Sequence, residues 1–294
     1  MPIAEVNGVE LHYERSGAGE PLVLVHGSWV DCRVWDGVVP LLSRSFEVVA
    51  YDRRGHSRSP CPPGQGSIRD DVDDLAALID FLALGPAHVA GASWGGSIAL
   101  RLVAARPESV RAVTVHEPPL FDILDSEAPD LPELTELHVR LATVAARLES
   151  GDLEGAARLY FDQVAETPGG WAGLDRERRS TLLSNAPTYL DQCRDPEALG
   201  MELEDLTAFG GPALVTYGDR RPPLFRRIVE MVVAAMPGAR SEAIAGAAHD
   251  PQVTHPRSYA RVIEHLAGLA VALLRVGDSR EAISPPTRVR AESG

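Results

Sequence analysis

The chain has 294 residues, enough to bury a sizeable core, and its 45% apolar and 24% charged residues are those of a globular protein. A formal net charge of −14 argues against nucleic acid or an anionic membrane surface as partner. Cys32, Cys61 and Cys193 lie far apart with no CxxC pattern, so neither a disulfide framework nor a metal site is expected. No stretch nears the ~20 apolar residues of a membrane span. The first residues, Met1-Pro2-Ile3-Ala4-Glu5, have neither a basic segment nor an apolar run, and the expectation is a cytoplasmic protein.

In chain order, residues 3–6 and 9–15 alternate apolar and polar around Asn7-Gly8, which predicts a hairpin. Residues 21–25 and 46–51 are continuous apolar runs, as in strands buried on both faces, with a helix predicted over 35–43 between them. The spacing of Leu75, Leu78, Ile79 and Leu82 predicts a helix over 70–84. Another apolar run, 86–90, leads into Gly91-Ala92-Ser93-Trp94-Gly95-Gly96 and then a helical stretch, and 110–115 is a further strand. This alternation predicts a doubly wound, mostly parallel sheet. From 131 to 209 only helical runs occur: Leu134, Leu137, Leu141, Val144 and Leu148 share one face, and Leu153, Ala157, Tyr160 and Phe161 another, before Pro168-Gly169-Gly170 interrupts. Alternation resumes with 213–217, 224–236, 239–244 and 258–274. The expected organisation is an α/β core over 1–119 and 210–276, a helical cap inserted at 120–209, and a disordered polar tail over 277–294.

The chemistry centres on Ser93. A G-x-S-x-G between a strand and a helix places the serine on a sharp turn, its hydroxyl projecting above the sheet edge and the helix N-terminus favouring developing negative charge. Such a hydroxyl needs a base. His249 follows the strand 239–244 and the small-residue loop Ala245-Gly246-Ala247-Ala248, at a strand end where ligand sites of open α/β sheets gather. His255 reads as a helix-start residue. The base needs a carboxylate to orient it. Glu117, fixed by Pro118-Pro119 at the end of the 110–115 strand, is preferred; Asp219, beside the end of the 213–217 strand, is the alternative. The backbone N–H groups of Trp94 and Ser28 are the candidate oxyanion donors. His26 is expected to brace its loop rather than react.

These residues resemble the α/β-hydrolase fold family over nearly the whole chain, through His26-Gly27, the loop from Asp52 to Ser59, the Gly91-to-Gly96 elbow and Gly246-Ala247-Ala248-His249. The resemblance implies an eight-stranded, mostly parallel sheet with a helical lid, a Ser93/His249/acid triad and no cofactor. Most members carry the acid where this chain has Arg221. Val115-His116-Glu117-Pro118-Pro119 is similar to the branch whose acid follows the sixth strand, which includes haloalkane dehalogenases and zearalenone-type lactone hydrolases, and this favours Glu117. Dehalogenases and epoxide hydrolases use an aspartate nucleophile, whereas residue 93 is serine. The expectation is therefore a cofactor-independent serine hydrolase cleaving a small to medium apolar ester or lactone. The alternatives are C–C bond or thioester hydrolysis or perhydrolysis on the same triad, or a non-catalytic ligand-binding relative. Trp29, Leu120, Phe121, Leu124, Trp171 and Tyr189 are the candidate pocket residues. Oligomeric state is left open, a homodimer included.

Overall fold

The computed structural model describes residues 2–125, 132–165 and 169–281. Eight strands form one sheet in the order β1-β2-β4-β3-β5-β6-β7-β8. β1 (Ile3–Val6) and β2 (Val9–Ser16) form an antiparallel hairpin, with Asn7 and Gly8 both at positive φ, 46° and 74°, in the two-residue turn. β2 also pairs antiparallel with β4 (Phe46–Tyr51), and every later pairing is parallel: β3 (Glu20–Val25), β5 (Ala87–Ala92), β6 (Val110–His116), β7 (Ala213–Gly218) and β8 (Arg240–Ile244).

Successive strand residues point to opposite faces, and both faces are covered. Leu22, Leu24, Val48 and Ala50 face a layer containing Trp35, Tyr259, Ile263 and Leu266, whereas Val23, Val25, Val49 and Tyr51 face one containing Leu75, Ile98 and Ile228. The first layer uses α1 (Val39–Leu42) and the last helix; the second uses α2 (Ile68–Phe81) and α3 (Trp94–Ala105). The long run of chain between β6 and β7 holds α4 (Asp122–Asp125), α5 (Pro132–Glu149), α6 (Leu153–Gln163), α7 (Gly170–Gly173) and α8 (Arg176–Arg194). Of these, α5, α6 and α8 pack on one another and cover the C-terminal strand ends. α9 (Pro223–Ala235) follows β7, then α10 (Pro251–Thr254) and α11 (Pro256–Glu281) follow β8.

Several expected boundaries move, three of them at helices. The helix over 35–43 is instead a 3-10 turn at Cys32–Trp35 followed by α1. Asp31 Oδ1 accepts the Arg33 N–H at 3.0 Å and starts the turn early, while Pro40 has no N–H with which to continue a helix through this stretch. α2 begins at Ile68 rather than 70 because Ser67 and Asp70 form a reciprocal capping box. α11 spans Pro256–Glu281, longer at both ends than the expected 258–274, since each added helical residue gains a backbone hydrogen bond once the helix is nucleated. The remainder of the expected tail, 282–294, and Pro168 lie outside the described residues. Among the described residues no helix is long and apolar enough to cross a membrane.

Candidate active site

Parallel strands end at a common edge, and the register aligns those ends: Val25 lies opposite Gly91, Gly91 opposite Val115, and Gly218 opposite Ile244. The chain crosses from β4 on one side of β3 to β5 on the other, so the crevice beside β3 and β5 is the switch point where such sheets bind ligands.

Ser93 sits there, between β5 and α3, at φ 54° and ψ −123°. A residue with a side chain is strained in that region, and the surroundings must hold it. Close approach holds it here: a Cβ on Gly91 would run into the Gly95 carbonyl, and one on Gly95 into the Val25 carbonyl. Trp94 is the first residue of α3, so its N–H has no acceptor within the helix. Ser28 faces Ser93 across the same cavity, and its hydroxyl donates to Gln192 Oε1 at 2.6 Å.

The loop carrying Ser28 is braced from below. His26 is fully buried, which lowers its pKa to about 4 and keeps it neutral. Its Nε2 accepts the Arg53 backbone N–H at 3.0 Å, so the proton lies on Nδ1, which donates to Gly27 O at 2.9 Å. The Arg53 guanidinium, 1% exposed, bonds Asp71 Oδ2 at 2.6 Å and Gly27 O at 3.2 Å, and Asp71 Oδ2 also accepts the Trp94 indole N–H at 2.9 Å. One buried ion pair thus holds the Trp94 side chain and the Gly27 carbonyl, whose peptide carries the Ser28 N–H. The sequence marks the Asp52-to-Ser59 loop without assigning Arg53 this task, and Asp71 reads as an ordinary first-turn helix acid.

Glu117 follows β6 at φ 42°, its N–H donating to Thr216 O at 3.0 Å. Its Oε1 accepts the Gly218 N–H at 2.9 Å, and its Oε2 accepts from His249 Nδ1 at 2.7 Å. A carboxylate only accepts, so Nδ1 carries the proton and Nε2 is left as the basic nitrogen. Burial would raise the carboxyl pKa, but the His249 hydrogen bond, with the electrostatic influence of His116, His249 and the Arg221 cation, outweighs it and brings it down to about 2. His116, beside Glu117, is itself lowered to about 4 by burial; Thr216 Oγ1 donates to Val115 O, so His116 Nδ1–H donates to Thr216 Oγ1 at 2.9 Å. Asp219 is exposed and bonds the Gly246 N–H through Oδ1 at 2.8 Å, which ties the loops after β7 and β8 together. Of the two candidate acids, Glu117 is the one that hydrogen-bonds His249.

Arg221 is the residue that sequence reasoning noticed only as a missing acid. Its buried Nε lies 3.3 Å from Glu117 Oε2, so a cation occupies the place expected of a carboxylate. The signal available in the sequence was the charge itself: an arginine at that place has to be solvated or paired, and only a carboxylate nearby could pair it.

Two cavities meet at Ser93 and His249. An inner one of about 340 Å³ is walled by Phe121, Leu141, Tyr160, Tyr189 and Phe225 among others. An outer one of about 520 Å³ is more polar, with Asp31, Arg33, Glu177 and Asp250 on its walls. Phe121 and Tyr189, expected in the pocket, are therefore lining residues. Trp29, Leu120, Leu124 and Trp171 line neither cavity and are buried in packing instead. Trp29 stacks on Tyr189 and Tyr160 with ring centroids 4.9 and 5.4 Å away, and Trp171 lies under Arg179 at 5.4 Å. Hydrophobic pattern alone does not separate a wall from the packing behind it.

A model of the alpha/beta hydrolase family matches residues 22–262. The chain is 26% identical over 261 residues to a pimeloyl-[acyl-carrier protein] methyl ester esterase of Aeromonas hydrophila subsp. hydrophila, covering 87% of this chain and 98% of that one. It is 36% identical over 115 residues to the putative carbamate hydrolase RutD of Azorhizobium caulinodans, a match spanning 39% of this chain and 43% of that one. Among solved structures, it superimposes with a TM-score of 0.71 and 22% identity on Est816, described as an N-acyl homoserine lactone degrading enzyme, covering 90% of this chain and 99% of that one.

Proposed function

The chain belongs to the alpha/beta hydrolase family, and from that premise we propose that it is a serine hydrolase cleaving a carboxylic ester or lactone with an apolar acyl part. The observation that carries the reading is the 2.7 Å hydrogen bond from His249 Nδ1 to a buried Glu117, which leaves Nε2 basic in a cavity wall shared with Ser93. The printed activities of two similar proteins, a methyl ester esterase and a lactone-degrading enzyme, support the bond type.

In this reading the Ser93 hydroxyl, a free rotor, turns toward His249 Nε2, gives up its proton and attacks the carbonyl carbon. The carbonyl oxygen becomes an oxyanion held by the Trp94 and Ser28 N–H groups, and Glu117 stabilises the imidazolium that forms. As the C–O bond breaks, the imidazolium protonates the leaving alkoxide and an acyl-enzyme remains on Ser93. Water then attacks the acyl carbon, His249 takes its proton, and collapse releases the acid and restores Ser93. The inner cavity, apolar over most of its wall, suits the acyl chain.

The test is Ser93→Ala together with a fluorophosphonate probe. Turnover of p-nitrophenyl esters and of lactones should drop by about four to six orders of magnitude, with the thermal transition unchanged. The probe should modify Ser93 in the wild type and nothing in the variant. A variant that turned over like the wild type would rule out Ser93 as nucleophile, and modification at another residue would place the site elsewhere.

A further inference from the structure

Arg221 makes contacts in two directions. Toward the sheet, its Nε lies 3.3 Å from Glu117 Oε2. Toward the covering helices, Nη1 donates to Ala165 O at 3.0 Å and Nη2 to Val164 O at 3.1 Å. Val164 caps the C-terminal end of α6, where unpaired helix carbonyls and the negative end of the helix dipole gather and a guanidinium is favoured. The guanidinium also lies over Phe225, its Cζ 3.9 Å from the ring centroid. The side chain is 2% exposed, so each contact is made away from water, where losing one leaves a buried charge short of compensation.

We propose that Arg221 is a positioning residue that couples the seating of α6 over the inner cavity to the Glu117–His249 pair. The inference rests on the serine-hydrolase reading of that pair. With α6 seated, the guanidinium is fixed beside Glu117, and its charge opposes protonation of the carboxylate. With α6 lifted, the two carbonyls that hold the fork are withdrawn, the guanidinium is held beside Glu117 less firmly, and the carboxylate that orients His249 loses part of its counter-charge. The carboxylate that orients His249 is thus held charged most firmly under a closed cover. Linkage requires the converse: whatever removes the charge on Glu117 must loosen α6. The other titratable groups facing the pair are His116 on β6, Asp250 beside His249, Tyr259 on α11 and Tyr160 on α6. Among these groups Tyr160, on α6, is itself part of the covering helices.

Two readouts decide it. The first needs no activity: amide hydrogen exchange across α6 in wild type, Arg221→Lys and Glu117→Gln. Lysine keeps the charge and loses the two-pronged seat, and Glu117→Gln removes the counter-charge without touching α6. In both, α6 amides should exchange about tenfold faster, equivalent to about 1.4 kcal/mol of lost seating. Exchange within twofold of wild type in both variants overturns the coupling. The second is the pH dependence of fluorophosphonate labelling. The acid limb should move up by about one pH unit in Arg221→Gln and return to within a few tenths in Arg221→Lys. Three proteins sharing one acid limb overturn the electrostatic half. A wild type that leaves Ser93 unlabelled at every pH would refute the catalytic reading, and the exchange result would still decide the coupling.

Discussion

Glu117 combines two features that are each unfavourable alone, a left-handed backbone in a residue with a side chain and a carboxylate with almost no exposure. Its partners offset both: the Thr216 carbonyl fixes the backbone, and Gly218, His249 and Arg221 surround the carboxylate. Glu117→Gln keeps the shape and removes the charge, and the neutral amide can present its N–H to His249 and favour the wrong tautomer. We expect kcat on p-nitrophenyl esters to fall by about two to four orders of magnitude, against less than twofold for Asp219→Asn. Equal losses in the two variants would contradict this assignment. The sequence reading favoured Glu117 because Pro118-Pro119 follows it and residue 221 could not be an acid. What it lacked was the ion pair between Glu117 and Arg221, which exists only because β6 and β7 are neighbours in a fixed register; nothing in either local segment encodes the other. The pocket residues were illegible for a related reason, since Trp29 and Tyr189 touch each other and only one of them faces the cavity.

The elements at the core were legible because strands buried on both faces read as unbroken apolar runs, and 46–51 matches β4 residue for residue. Elements whose limits depend on a cap or a proline, such as α1 and α2, moved. How the covering helices are fastened to the core was not visible at all, because it depends on single polar side chains. Asn185 on α8 is fully buried and donates through Nδ2 to Trp29 O at 2.9 Å and Val30 O at 3.2 Å, while its Oδ1 accepts the Ser57 N–H at 2.8 Å. It therefore fastens one helix to the loops after both β3 and β4. Asn185→Ala would leave those backbone groups without their partner and should cost on the order of 2–3 kcal/mol in urea denaturation. It should also lower kcat more than it raises KM, since Ser28, which carries a candidate oxyanion donor, lies next to this loop. A cost below about 0.5 kcal/mol would show that water replaces the amide and that other contacts hold the cover.

On the scale of the whole molecule, alternating strands and helices were enough to specify the sheet, whereas its response to acid was not, because that depends on which histidines the fold leaves neutral and buried. Burial lowers His26, His88 and His116 to about 4 from an ordinary 6.5, and pushes His56 well below its ordinary value. Between pH 6.5 and about 4 the unfolded chain binds protons that the folded one refuses, so stability is lost as pH falls through that window. Each such residue contributes a slope of about 1.4 kcal/mol per pH unit there. Glu117 acts lower down: its pKa is depressed, so its contribution is complete above 4.5 and disappears as pH falls toward 2. His88 isolates one histidine's share without touching the site. It lies on β5 opposite Leu22, its ring edge-on to Phe46 at 5.8 Å, and neither ring nitrogen has a hydrogen-bond partner among the described residues. His88→Leu keeps roughly the volume and removes a buried polar group, so it should stabilise the protein at pH 7 by about 1 kcal/mol. Between pH 6.5 and 5 the variant should lose about 2 kcal/mol less than wild type in urea denaturation. Parallel pH profiles for the two proteins would mean that His88 is already accommodated as a charged group, and the acid sensitivity would then have to come from the histidines around the site.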